Sequence, residues 1–311
     1  MNEMKKECQI RYTKLHFTIR FIEDTVVPKY KASALRGGMG EMLLRANCIR
    51  DRDCENCDFE SECLVRRILY SKMEIQPAFM TKGDSVGYVL ECENYQTDFT
   101  AGDEIRFNLI LFGKTIVYFS QILNAFYVLG QMGLGKDHSR FEIVSVTNTR
   151  GDPILKDGNV MMQQYQILTV KEYVDYRLRN HQSKGKALII KFQSPLTLKY
   201  QGEYLREFHM DAIYEAIKRR IYMLDCFEGI YQEQDRDGEM QAPGIIHQEC
   251  HQVEVPRYSN HQQSKMILRG IEGQIEIEEV SEELLKVLFA GELIHIGKNT
   301  SFGFGRYRVC S

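Results

Sequence analysis

The chain has 311 residues, 43% apolar and 27% charged, a balance that builds a globular protein with room for two ordinary domains. Its formal charge of −3 excludes a chain-wide basic field, so any nucleic-acid surface must be a local patch. The opening MNEMKKECQIRY lacks an apolar core of signal-peptide length, and no apolar run reaches the ~18 residues of a membrane span, so a cytoplasmic protein without membrane contact is expected.

Ile10 to Phe21 predicts a strand, because Leu15, Phe17, Ile19 and Phe21 alternate with Lys14, His16, Thr18 and Arg20. One face belongs to a core; the other is a solvated face or one turned to a ligand. After Pro28, Lys31 to Ala46 predicts a helix with Leu35, Met39, Met42, Leu43 and Ala46 on one side. Gly37, Gly38 and Gly40 lie inside it, each costing ~1 kcal/mol relative to alanine. That cost implies close packing, or close approach of a ligand backbone near Arg36. Cys48, Cys54, Cys57 and Cys63 follow, spaced Cys-x5-Cys-x2-Cys-x5-Cys among polar residues. Four thiolates in so short a loop suit a tetrahedral structural zinc; a cubane iron–sulfur cluster is the alternative.

Strands are expected over Val86 to Cys92 and Glu104 to Phe112, and a helix over Thr115 to Leu129 with Ile116, Phe119, Leu123, Phe126 and Tyr127 on one side. A turn Gly133-Leu134-Gly135-Lys136 leads to a strand from Arg140 to Val146. The order is β-α-β-β-α-β, the ferredoxin-like arrangement, so residues 1–150 read as one domain with a cysteine insertion at 48–63. Residues 151–184 are polar and read as a connecting segment, with a strand-like run at Tyr165 to Val170. Residues 185–311 repeat the plan. A strand over Ala187 to Phe192 precedes a helix over Arg206 to Phe227 and a charged loop over Gln232 to Gln241. Strands around Gln252 to Tyr258 and Lys265 to Glu278 follow, then a helix capped by Ser281 and opened by Glu282 and Glu283. The fold class is α+β, two tandem ferredoxin-like domains.

The tail, Gly291 to Val309, joins the last helix to a last strand through Gly297, Lys298, Asn299, Thr300, Ser301, Phe302, Gly303, Phe304 and Gly305. Successive backbone N–H groups in such a loop can form an anion-binding nest, and Lys298 and Arg306 flank it, so phosphate is its natural guest; a tight turn is the other reading.

The tail HIGKNTSFGFGRYRV resembles the glycine-rich C-terminal motif of the CRISPR-associated RAMP superfamily, and within it the pre-crRNA-processing endoribonucleases. SALRGGMGEMLLRANC with its cysteines, LILFGKTIVYFSQILNAFYVLGQMGLGKDHSRFEI and RYSNHQQSKMILRGIEGQI agree, so the resemblance runs from about residue 10 to the end. It implies two ferredoxin-like domains that bind repeat RNA between them and cut it without a metal or other cofactor. In that chemistry a base takes the proton of a ribose 2′-OH, which attacks the adjacent phosphate, and an acid protonates the leaving 5′-oxygen. A cation stabilises the extra charge. The products are a 2′,3′-cyclic phosphate and a 5′-hydroxyl. Carried onto this sequence, the resemblance assigns RNA contacts to the loop from Gly297 to Gly305 with Arg306, with Arg257, Lys265 and Arg36 as further phosphate contacts. Better-known members often place a catalytic histidine near the first helix, but Lys31 to Arg52 contains none. His295 paired with Lys298 is the expected catalytic set, with His16 and His138 as other candidates; His247, His251 and His261 lie in a polar stretch open to RNA or metal. Repeat RNA or crRNA and an interference complex are the expected partners. A non-catalytic crRNA-binding subunit of such a complex is the alternative, favoured by the missing histidine as the full length and tail match favour the enzyme.

Overall fold

The computed structural model describes residues 9–52, 54, 56–71, 73–80, 86–181, 187–230, 243–259 and 264–310; the Gln232 to Gln241 stretch and His261 lie outside them. In the first unit, β1 (Arg11–Phe21) is followed by β2 (Thr25–Val26), α1 (Lys31–Asn47), α2 (Leu64–Leu69), β3 (Tyr88–Glu91), β4 (Asp98–Phe99) and β5 (Glu104–Phe112). The expected helix over Thr115 to Leu129 begins as a 3-10 turn over Gly113–Tyr118 and continues as α3 (Phe119–Met132), after which β6 (Phe141–Thr147) closes the unit. Tyr127, expected on the buried side, is 57% exposed. The strands run antiparallel in the order β3-β5-β1-β6, the ferredoxin-like topology. Leu15, Phe17, Ile19 and Phe21 face α1 and α3 with Phe107 and Phe126, as the alternation in β1 requires.

The segment after β6 carries more structure than its polar composition suggests. β7 (Pro153–Lys156) and β8 (Asn159–Val160) form a hairpin that extends the first sheet, and β9 (Leu168–Thr169) pairs with β1. The strand-like run at Tyr165 is cut short there, because α4 (Val170–Asn180) starts at Val170. A capping box starts it: Thr169 and Glu172 each bond the other's main-chain N–H.

The second unit comprises β10 (Ala187–Leu196), β11 (Lys199–Tyr200), β12 (Glu203–Tyr204), α5 (Met210–Glu228), β13 (Ile245–Ser259), β14 (Ser264–Glu278), α6 (Glu282–Ile294) and β15 (Tyr307–Cys310). Its sheet order, β13-β14-β10-β15, repeats the ferredoxin-like pattern. Ser281 caps α6 by accepting from the Leu284 N–H, with Glu282 and Glu283 in the first turn. The two units share apolar packing. Tyr12, Val89, Ile110 and Phe112 of the first sheet lie in one cluster with Ile213, Ile217, Phe227 and Leu288 of α5 and α6. Arg220 of α5 ties the join, donating to the carbonyls of Val86 and Ile294. None of the described helices is long and apolar enough to cross a membrane.

Candidate nucleic-acid interface

The glycine loop is built by close approach of main chains. Lys298 N–H donates to the Thr197 carbonyl at 2.8 Å and Gly305 N–H to Pro195 at 2.9 Å; Phe302 and Phe304 donate to Asn299, and Gly303 to Thr300. A Cβ on Gly305 would lie 1.8 Å from the Ile296 carbonyl, and one on Gly303 2.6 Å from that of Leu90, both at positive φ. Thr300, Ser301, Gly303, Phe304 and Gly305 are buried. This narrows the anion-nest reading: the N–H groups of Lys298, Phe302, Gly303, Phe304 and Gly305 already serve carbonyl oxygens, so phosphate cannot take those five without breaking the loop. What the loop offers outward is Lys298, which is exposed, and Gly297, Asn299, Phe302 and Arg306, which are half-buried.

His295 is also corrected. It ends α6 at φ 57 and ψ 157, a region few residues other than glycine adopt, and its side chain is 0% exposed. Nδ1 lies 3.0 Å from the Phe304 carbonyl and Nε2 3.0 Å from Glu91 Oε1. Burial pushes the imidazole down from its usual value, against the pull of the Glu91 carboxylate. A ring enclosed on both nitrogens reaches no phosphodiester, so the His295–Lys298 catalytic pair is not assembled. His295 instead holds the loop to the first sheet.

Glu91 is the centre of that join. Lys14 Nζ lies 2.8 Å from its Oε2, Asn108 Nδ2 2.7 Å from the same oxygen, and Arg306 Nε 3.6 Å from Oε1. Burial alone would raise this carboxyl; Lys14, His295 and Arg306 hold it well below the usual range. Arg306 also pairs with Glu93. Its charge is therefore matched within the protein, at the join of the two units.

Three predicted RNA contacts do meet. The guanidinium of Arg36 on α1 lies 4.6 Å from the centroid of the Phe302 ring, and that of Arg257 on β13 lies 4.4 Å from it. One arginine comes from each unit and the ring from the loop between them. Burial and the charge of Arg36 push the Arg257 guanidinium down. The α1 glycines divide in the same place. A Cβ at Gly38 would meet Leu129 at 2.6 Å and one at Gly40 would meet Leu69 at 3.2 Å, whereas one at Gly37 meets nothing within 4 Å. Gly38 and Gly40 thus admit close packing, and Gly37 leaves bare backbone beside Arg36. Lys298 Nζ lies 3.3 Å from the Tyr204 hydroxyl, and Lys265 is exposed on β14 opposite Tyr258.

Of the other histidines, His138 is exposed in a turn at φ 50. His247 and His251 are more than 60% exposed, beside Glu249 and Glu272. His16 is half-buried on β1, its Nδ1 2.7 Å from Asn108 Oδ1. Cys48, Cys54, Cys57 and Cys63 line one cavity of about 310 Å³ between the end of α1 and the start of α2. Burial raises the Cys54 thiol, and the other three cysteines add to the effect. Among the described residues no three potential ligands are drawn into a ready metal cage; the donor set, four soft thiols around one space, fits zinc or an iron–sulfur cluster.

Comparison with known proteins agrees with this architecture. Residues 10–168 match a family model described as an N-terminal domain, and residues 190–307 match that of the CRISPR-associated endoribonuclease Cas6. An uncharacterized protein of Archaeoglobus fulgidus is 22% identical over 293 residues, covering 92% of this chain and 93% of that one. In a partial Cas6-RT-Cas1–Cas2 complex, one chain superposes with a TM-score of 0.58 at 13% identity over 97% of this chain; this chain spans about half of it, 46%. A Cas6 product complex superposes with a TM-score of 0.55 at 13% identity, covering 96% of this chain and 100% of that one. Thermus thermophilus Cas6 gives 0.53 at 10% identity, over 97% and 99%. At such identities the superpositions bear on fold. The fold is that of these Cas6 structures, and the match to the Cas6 family model covers residues 190–307, the second of the two ferredoxin-like units.

Proposed function

We propose that this chain is an endoribonuclease that binds CRISPR repeat RNA and cuts it by attack of a ribose 2′-OH on the adjacent phosphate, leaving a 2′,3′-cyclic phosphate and a 5′-hydroxyl. The observation that carries the reading is the meeting of Arg36 and Arg257 over Phe302. Two cations from different units converge beside the bare backbone of Gly37, in a chain whose net charge is −3. A local patch of that kind suits a phosphate backbone, and the partly open aromatic ring suits a base or ribose. Lys298 with Tyr204 and Lys265 would extend the track. The chemistry needs acid–base groups and a cation, so no cofactor is assigned to it. Zinc is assigned to the four-cysteine knuckle as a structural staple that ties α1 to α2, and an interference complex is the expected destination of the processed RNA.

The enclosed position of His295 and the lack of a histidine on α1 favour a second reading, a subunit that holds crRNA without cutting it. One experiment separates the two. Purified protein is incubated with labelled repeat RNA in EDTA, beside RNA with a single 2′-deoxy substitution upstream of the scissile phosphate. The enzyme cuts the first and binds, without cutting, the second. Binding of both with no cutting of either establishes the second reading; equal cutting of both removes the 2′-OH mechanism.

A further inference from the structure

His16 lies at the outer end of a hydrogen-bonded chain that leads to the buried carboxylate of Glu91. Glu91 is held ionised by Lys14 and Arg306, so its oxygens accept. Asn108 must therefore turn its Nδ2 amide hydrogens toward Glu91 Oε2, 2.7 Å away, which leaves its Oδ1 facing His16. Since Oδ1 only accepts, the His16 nitrogen 2.7 Å from it, Nδ1, must carry the proton. In the neutral ring the lone pair is then on Nε2. The tautomer thus follows from the network rather than from placed hydrogens. Lys14 stands two residues away on the same face of β1, about 7 Å along the strand. His295 has comparable support but no open side, and His251 stands 3.7 Å from its nearest carboxylate with its side chain 64% exposed.

We propose that His16 is the general base of the cleavage, oriented by Asn108. This inference rests on the cleavage reading given above. His16 Nε2 takes the proton of the 2′-OH, and O2′ forms its bond to phosphorus as the bond from phosphorus to O5′ breaks. The departing O5′ takes a proton from water, and the hydroxide left behind then takes the proton held on His16 Nε2, which restores the neutral base. The imidazolium that results keeps its Nδ1–H bond to Asn108, whose amide dipole is itself polarised by Glu91, so the positive charge is stabilised where it forms. Asn108 is a positioning residue in this scheme and does not touch RNA.

The test uses single-turnover cleavage and affinity in parallel. His16→Ala and His16→Gln should each slow cutting by about 10²–10⁴, the usual worth of one general base, while repeat-RNA affinity stays within about twofold. The glutamine variant retains an amide that can bond Asn108, which guards against a folding defect. Added imidazole should restore a measurable part of the His16→Ala rate, a response that a purely structural residue does not give. Asn108→Leu should slow cutting less than His16→Ala and shift the His16 ring in nitrogen NMR away from the Nδ1–H tautomer. Wild-type cutting with unchanged His16→Ala and His16→Gln rates overturns the base assignment and leaves the cleavage reading intact. Parallel loss of affinity and rate without imidazole rescue overturns it likewise. A wild-type chain that binds repeat RNA but does not cut it overturns the cleavage reading, and the base assignment with it.

Discussion

Nε2 of His295 and Oε1 of Glu91 lie 3.0 Å apart across the join of the two ferredoxin-like units, one side chain 0% and the other 2% exposed. A buried charge left without one of its partners is costly, so His295→Ala and Glu91→Gln should each destabilise the fold by about 3–5 kcal/mol. Urea unfolding measures this. The double variant should cost less than the two single variants added together, because the interaction is shared; strict additivity would dissolve the pair as a unit.

The same join predicts an acid dependence. The Glu91 carboxyl is depressed in the folded chain below its ordinary value of 4.5, because Lys14, His295 and Arg306 outweigh the opposing effect of burial. A depressed carboxyl contributes stability that is fully present above the unfolded value and is lost as pH falls through the folded one. The stability gap between wild type and Glu91→Gln should therefore hold above about pH 4.5 and narrow below it. A gap that does not change with acidification would mean that Glu91 is not ionised in the fold.

Arg36 and Arg257 should act on RNA through charge. Each alanine substitution should lower the slope of log affinity against log salt by ~0.7–0.9 if each contacts one phosphate, and Phe302→Ala should weaken binding by ~1–3 kcal/mol if a base stacks there. Arg306→Ala should instead lower stability, since its partners are Glu91 and Glu93. An Arg306→Ala variant of full stability with a reduced salt slope would return that residue to the RNA surface.

Gly37 separates helix stability from ligand approach. Alanine at this open position should stabilise the fold by up to ~1 kcal/mol, because nothing within 4 Å obstructs it. Leucine there should weaken repeat-RNA binding if the RNA backbone runs over α1. Gly305→Ala is the contrast: at φ +70 and 1.8 Å from a carbonyl, it should destabilise markedly. Gly37→Leu with wild-type affinity would take the RNA off that face.

The cysteine knuckle should bind about one zinc per chain, or one iron–sulfur cluster with its visible absorption. Cys54→Ser with Cys57→Ser should then lower the melting temperature and abolish metal binding, since a structural metal contributes its binding free energy to folding. Metal-free protein of full stability would refute the staple.

Much of this architecture was legible along the chain. The alternation of β1, the apolar faces of α1 and α3, the Ser281 cap and the repeated β-α-β-β-α-β order each follow from local periodicity, which the backbone imposes within a few residues. α4 also left a local signal, the Thr169-to-Glu172 capping box, within a segment read from its composition alone as a connection. Arg36, Arg257 and Phe302 were singled out separately, but their meeting over one ring depends on how the two units pack. His295 shows the limit most directly. Its residue type and place beside a glycine loop suit catalysis, and only the approach of Glu91, 204 positions away, closes the ring off. The same carboxylate reaches His16 through Asn108, where the ring is only half-buried. The chain order determined which residues stand on which face of each element. Which histidine is fully buried and which stays half-buried was decided by long-range packing, because solvent access and proton position depend on neighbours that sequence spacing does not bring together.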